Sequence, residues 1–142
     1  MIVHANDKMR HDLWFLLIAA ASLVIGVSVG IYMGVTHDYS LTPVHAHINL
    51  LGWVSLALFG LAYRSYPELG RSWTATLHIA LCGPSAVLLP AGIARAIICD
   101  ASDLAICASL LWIAGSITFL VKVIAMVIAD STPVNLSDSP LG

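Results

Sequence analysis

Apolar residues run in four long stretches that are separated by short polar links. The stretches cover residues 13–35, 42–66, 73–98 and 104–129, and each reaches the roughly 20 residues that a helix needs to cross bilayer hydrocarbon. The links read THDYS, PELGRS and CDASD. Because links this short permit only antiparallel neighbours, the pattern predicts four transmembrane helices in an up-down bundle.

The composition agrees with a membrane environment. Hydrophobic residues make up 59% of the chain and charged residues 10%, against roughly 45 to 50% and about 25% in soluble domains. The sequence therefore predicts an all-α membrane protein. The formal net charge is only −2, and no basic stripe is present that would neutralise phosphates, so nucleic acid is not expected as a partner.

The two ends of the chain carry different expectations. The first apolar stretch begins like a signal peptide, but its apolar run continues without interruption, so we expect an uncleaved helix that follows a cytoplasmic segment, residues 1–12. Residues 130–142 contain two prolines and several small polar residues. This composition predicts a disordered C-terminal tail.

Basic residues predict the orientation of the bundle. They lie mainly on the side of the termini, at Lys8, Arg10, Arg64 and Arg71, whereas the opposite side has Arg95 alone. By the positive-inside rule we expect a multi-pass protein of the bacterial inner (cytoplasmic) membrane with both termini in the cytoplasm. Lys122 lies within the last stretch, close enough to its cytoplasmic end for its side chain to snorkel there.

A ridge of small residues follows one face of the first helix at four-residue spacing: Ser22, Gly26, Gly30 and Gly34. Such ridges let helix backbones approach closely in lipid. The sequence leaves two alternatives open, packing within one bundle and packing between subunits.

Two histidines, His45 and His47, open the second stretch. Residues i and i+2 of an α-helix point about 200° apart, so two such rings cannot ligate one metal from the same helix. One interpretation is that both rings bond to water, headgroups or carbonyls near the membrane surface. The other is haem, whose iron commonly takes neutral imidazole as an axial ligand and whose apolar plate suits a slot between helices.

The run HINLLGWVSLALFGLAYRSYPE, residues 47–68, resembles the second transmembrane helix of the catalytic subunit of bacterial nitric oxide reductases. That subunit belongs to the haem-copper oxidase subunit I superfamily. The resemblance implies that His47 is an axial ligand of haem and places Asn49 and Trp53 in the haem site, although Trp53 is slightly out of register. The positions that follow the family pattern are Asn49, Leu50, Leu51, Tyr63, Pro67 and Glu68.

The His-x-His pair resembles a later helix of the same superfamily, in which two histidines bind two haems on opposite faces. The superfamily fold consists of three pseudo-equivalent arcs of four helices, and this chain resembles one arc. The resemblance implies a homo-oligomer, with a trimer favoured, in which His45 of one subunit and His47 of the next hold a haem b.

Several residues carry secondary expectations. Should His45 not be the second ligand, His37 and Met33 are the alternatives. Arg95 is expected either to pair with haem propionates, as the resemblance implies, or to anchor the helix at the interface. His78 is expected to be structural or interfacial.

The aromatic residues and the cysteines also carry expectations. Trp53, Phe59 and Tyr63 are expected to pack either on a porphyrin or on neighbouring helices. Cys82 is expected to be a small apolar core residue. Cys99 and Cys107 flank the third link, where a disulfide is permitted but not required.

These features favour a small membrane b-type cytochrome for electron transfer or redox and gas sensing, with a respiratory-chain redox partner. An iron with two histidine ligands has no open position for a gas, and the chain lacks the further metal-binding histidines of oxidases, so complete oxidase or nitric oxide reductase activity is not expected. Two alternatives stay open. One is a copper- or haem-handling assembly factor for a terminal oxidase, and the other is a structural membrane protein without a cofactor.

Overall fold

The computed structural model describes residues 10–131, which form long helices and contain no β-strand. Four helices are long and apolar enough to cross a membrane, which confirms the predicted all-helical class. They are α1 (His11–Thr36), α2 (Thr42–Ser65), α3 (Trp73–Cys99) and α4 (Asp103–Asp130). The predicted cytoplasmic segment, apart from its last three residues, and the predicted disordered tail, beyond residue 131, lie outside the described residues.

Helix α2 is not α-helical throughout. An α-helical segment, Thr42–His47, is followed by a π-helical segment, Ile48–Ser55, and by a second α-helical segment, Leu56–Ser65. The Ser55 hydroxyl donates to the Leu50 carbonyl at 2.8 Å, five residues back along the helix. Pro43 occupies the first turn of α2, where a proline loses no helical hydrogen bond. The sequence analysis did not predict the π-helical segment.

Helices α1 and α2 pack antiparallel through the ridge of small residues. As the residue number rises along α1 it falls along α2, with Ser22 against Gly52, Gly26 against Asn49, and Gly30 against His45. The alternative of packing within the bundle is therefore the correct one for these three positions. Gly34, the last member of the ridge, has open space where a side chain would be.

Helices α3 and α4 also pack antiparallel, at two points of very close approach. Gly92 lies against the backbone of Ala105, and Gly115 lies against Cys82. Helix α3 is the most buried of the four and contacts all the others. Pro90 of α3 has no N–H group, so it cannot donate the usual helical hydrogen bond to the Ala86 carbonyl. This carbonyl faces Gly52 of α2.

An aromatic cluster forms the core at the end of the bundle where α1 begins. His78 is fully buried at its centre, and its ring centroid lies 4.6 Å from Phe59, 4.9 Å from Phe15 and 5.3 Å from Phe119. Tyr63 completes the cluster, with its hydroxyl 3.1 Å from His78 Nδ1. Phe59 and Tyr63 therefore pack on neighbouring helices, and His78 has a structural place in this cluster.

Large apolar side chains cover the outside of the bundle. They lie on every helix, and examples are Leu17, Val24, Ile31, Leu58, Val87, Leu110, Val121 and Ile128. A soluble monomer would not expose a surface of this kind, whereas hydrocarbon is its natural solvent. The surface agrees with four helices that cross a membrane.

Candidate histidine site

His45 points from α2 towards α1. Its Nδ1 atom lies 2.9 Å from the Gly26 carbonyl oxygen, and a Cβ atom added at Gly30 would lie only 2.9 Å from its Cε1 atom. Because a carbonyl oxygen can only accept, Nδ1 carries the ring proton and donates it. Nε2 of His45 therefore keeps its lone pair.

His47 has the same tautomer, but its ring donates to a different carbonyl. Its Nδ1 atom lies 2.7 Å from the carbonyl oxygen of Pro43, one turn earlier in the same helix. This carbonyl also accepts only, so the proton again lies on Nδ1 and the lone pair on Nε2. No residue between 10 and 131 forms a hydrogen bond to either Nε2 atom.

This arrangement is the one found for histidines that bind metals. A ligating imidazole almost always donates its other N–H to a carboxylate, a backbone carbonyl or water, which fixes the ring orientation and its basicity. Both rings are half-buried in the membrane-spanning part of α2. Each ring thus presents a fixed nitrogen lone pair in an environment with few competing donors.

The two rings do not converge on a common point. His45 contacts Gly26 and Gly30 of α1, whereas the hydrogen bond of His47 returns to its own helix. Among the described residues, no group of three or more His, Cys, Asp or Glu side chains could hold a metal ion. A porphyrin supplies the equatorial nitrogens of its iron, so haem requires fewer protein ligands than bare copper does.

Asn49 supports His45 from one turn further along α2. Its Nδ2 group donates to the His45 carbonyl oxygen at 2.8 Å, and its side chain packs against Gly26. The same Nδ2 group is also 3.4 Å from His45 Nδ1, but Nδ1 already carries a proton that it donates to Gly26. Asn49 therefore lies beside the ring and is bonded to the backbone of His45.

Trp53 lies in the π-helical segment and is 37% exposed. The segment begins at the residue immediately after His47, and π-helical turns occur frequently at functional sites. They also rotate all later side chains relative to a regular α-helix. The analysis of hydrophobic periodicity assumed 3.6 residues per turn and could not detect this change.

Arg95 has an ion-pair partner within the chain. Its NH1 group donates to Asp103 Oδ1 at 2.7 Å, which joins the end of α3 to the start of α4. Gly52 lies opposite Ala86 in the antiparallel pair α2 and α3, so the segment Thr42–His47 lies beside the turn that contains Arg95.

The alternative second ligands differ in accessibility. Met33 is 5% exposed and packed inside the bundle, whereas His37 is exposed and ends α1 in a left-handed conformation at φ 55°. In the link that follows, the Ser40 N–H donates to Asp38 Oδ1 at 3.0 Å. This hydrogen bond lowers the pKa of Asp38 and orders the approach to α2.

Lys122 and the three cysteines complete the set of predicted residues. The Lys122 ammonium donates to the hydroxyls of Ser72 and Thr74, each at 2.8 Å, at the start of α3. Its side chain thus reaches the helix end, as snorkelling predicts. Cys82 is buried, and Cys99 and Cys107 are exposed free thiols.

The sequence analysis missed the chemistry of one buried residue, His78. Its Nε2 atom has no hydrogen-bond partner in the described part of the chain. If the Tyr63 hydroxyl donates to Nδ1, Nε2 carries the ring proton and has only the π faces of the surrounding rings as weak acceptors. The four-residue step from Phe59 to Tyr63 indicates an aromatic face on α2, but no sequence pattern shows that this face meets Phe15 and Phe119 around His78.

Known proteins were compared with the chain at three levels. No family model, no curated protein and no solved structure matches it.

Proposed function

We propose that this chain is a small membrane b-type cytochrome, related to the haem-copper oxidase subunit I superfamily, which binds haem through His45 and His47. Its work is electron transfer or redox and gas sensing. One observation carries the proposal. Both rings donate Nδ1–H to backbone carbonyls and leave Nε2 as an unpartnered lone pair within the described residues.

The divergence of the rings supports a site between subunits. His45 faces α1 and His47 does not, so one iron cannot take both nitrogens from one chain. His45 of one copy and His47 of the next therefore hold each haem, and a ring of three copies is favoured by the superfamily resemblance. Asn49 keeps His45 in place, Trp53 offers an aromatic face, and Arg95 has N–H groups for a propionate.

Bound haem supplies reversible one-electron chemistry at its iron. The residues of this chain have simpler tasks. His45 and His47 bind the iron with a fixed tautomer, the apolar helix faces exclude water, and Gly26 and Pro43 hold the ring protons at their carbonyls. No group of three or more His, Cys, Asp or Glu side chains that could hold a metal ion is present among residues 10–131 of one chain, so the ligands of the proposed site come from two chains.

The distribution of charge supports a placement in the bacterial inner membrane with both termini in the cytoplasm. Arg10, Arg64 and Arg71 lie together at the end of the bundle where α1 begins, and the Lys122 ammonium reaches the same end. At the other end, Arg95 is balanced by Asp103. The positive-inside rule assigns the first of these ends to the cytoplasm.

Single replacements of the two histidines test the proposal. His45→Ala and His47→Ala should each remove haem from every site, because each site uses one of each, and the loss is measured as haem per purified chain from haem-replete cells. His37→Ala tests the alternative ligand in the exposed first link, and this variant should keep its haem if His45 is the second ligand.

Other outcomes would refute the proposal or redirect it. A normal six-coordinate spectrum in His45→Ala would move the second ligand to another residue. Copper without haem in the wild-type protein would favour the assembly factor. A protein that contains neither haem nor copper would favour a structural membrane protein.

A further inference from the structure

A cavity of about 480 Å³ opens at the end of the bundle where α1 begins and α2 ends. Three arginines from three different parts of the chain converge on it. We call this cavity the arginine pocket, and its lining includes Arg10, Asp12, Tyr63, Arg64, Pro67 and Arg71. The histidine pair lies near the opposite end of α2, so this pocket is separate from the proposed haem site.

The arginine pocket carries an excess of positive charge. Asp12 is the carboxylate in its lining, and it accepts from Arg10 at 2.9 Å and from Arg64 at 3.3 Å. Arg71 forms no ion pair within residues 10–131. Three guanidinium groups against one carboxylate leave two positive charges.

The helix faces that continue from the pocket are apolar and exposed. Leu13 and Leu17 lie about one and two turns from Arg10 on α1, and Leu61 lies about one turn from Arg64 on α2. Their side chains are between 50% and 59% exposed. A ligand whose charged head fills the pocket can therefore lay hydrocarbon chains along these faces.

We propose that the arginine pocket binds the headgroup of a phospholipid that carries two phosphates, of the cardiolipin type. Guanidinium groups match phosphate oxygens in a planar, bidentate geometry, and basic pockets between helices on the cytoplasmic side bind such headgroups. Two phosphates balance the two excess charges. Phosphatidylglycerol has one negatively charged phosphate, and phosphatidylcholine has no net charge. The proposal does not depend on haem.

Binding of cardiolipin to the purified protein in neutral detergent tests this assignment. The apparent affinity is read from the rise in thermal unfolding midpoint with lipid concentration and from lipids retained in native mass spectrometry. We expect cardiolipin to bind more tightly than phosphatidylglycerol and phosphatidylcholine to have no effect. Arg71→Gln should weaken cardiolipin binding about five-fold, from the typical contribution of one basic residue.

The control is Lys122→Gln, because Lys122 is a basic residue at the same end of the bundle that lies outside the arginine pocket and donates to Ser72 and Thr74. It should leave cardiolipin binding unchanged. Asp12→Asn removes the carboxylate that competes with the phosphates, so it should tighten binding. Equal effects of cardiolipin and phosphatidylcholine, an unchanged affinity in Arg71→Gln, or weaker binding in Asp12→Asn would overturn the proposal.

Discussion

At the residue scale, the orientation of His45 depends on two glycines of α1. Gly26 provides the carbonyl that accepts from Nδ1, and Gly30 provides the space in which the ring lies. A glycine ridge that would ordinarily serve only close helix packing thus fixes the tautomer of a potential ligand. The Nε2 atom has no hydrogen-bond partner among residues 10–131.

Gly30→Ala should therefore disturb the proposed haem site. The new Cβ would lie 2.9 Å from His45 Cε1, so the ring must shift and its bond to Gly26 must lengthen. We expect a loss of about 10- to 100-fold in haem affinity, the usual range when the orientation of a ligand is lost. The measurement is a haem titration of the purified apoprotein.

Gly34→Ala is the control for that substitution. Gly34 belongs to the same ridge and the same helix, but nothing lies within 4 Å of an added Cβ. Haem affinity should stay at the wild-type value. Equal losses in the two variants would contradict a specific role for the contact between Gly30 and His45.

At the scale of the element, α2 combines two helical geometries. Its first segment, Thr42–His47, is regular and carries the histidines, and its second, Ile48–Ser55, is π-helical. The change at residue 48 sets how Asn49 and Trp53 are placed relative to the histidines. Helix α2 thus separates the histidine pair near one end from the aromatic core at the other.

His78→Ala tests this separation. Removal of a fully buried ring from the aromatic cluster should cost roughly 2 to 4 kcal/mol, as large-to-small core substitutions do. The thermal unfolding midpoint in detergent should fall, while haem per folded chain stays constant. Loss of haem at an unchanged midpoint would instead place His78 in the cofactor site.

Much of this element structure could be predicted from the sequence, for physical reasons. Hydrocarbon requires long apolar helices, so composition and length predict the four spans directly. The half-turn between His45 and His47 follows from α-helical geometry. By contrast, the π-helical segment, the tautomers and the fully enclosed His78 depend on contacts between helices, and periodicity along one helix does not report those contacts.

At the scale of the whole molecule, the proposed orientation can be tested with native cysteines. Cys99 and Cys107 are exposed near the α3–α4 link, whereas Cys82 is buried. In intact cells with a permeabilised outer membrane, a charged, membrane-impermeant thiol reagent should label a Cys107→Ser variant at Cys99. Labelling of Cys99 only after the inner membrane is broken would show the opposite orientation.

The assembly can be tested by co-expressing two variants that are each expected to lack haem. If each haem takes His45 from one copy and His47 from the next, co-expression of His45→Ala and His47→Ala chains restores intact sites wherever the two variants meet in the right order. Random assortment predicts about a quarter of the wild-type haem per chain. No recovery in co-purified mixed oligomers would contradict a site shared by His45 of one copy and His47 of the next.

The central claim is that this four-helix chain holds haem through its His-x-His pair, and an absorbance spectrum tests it most directly. The protein is purified from haem-replete cells, and its reduced-minus-oxidised spectrum is recorded together with its haem content. The predicted result is the spectrum of a haem b with two histidine ligands, at about one haem per chain. A colourless preparation of folded protein would contradict the claim.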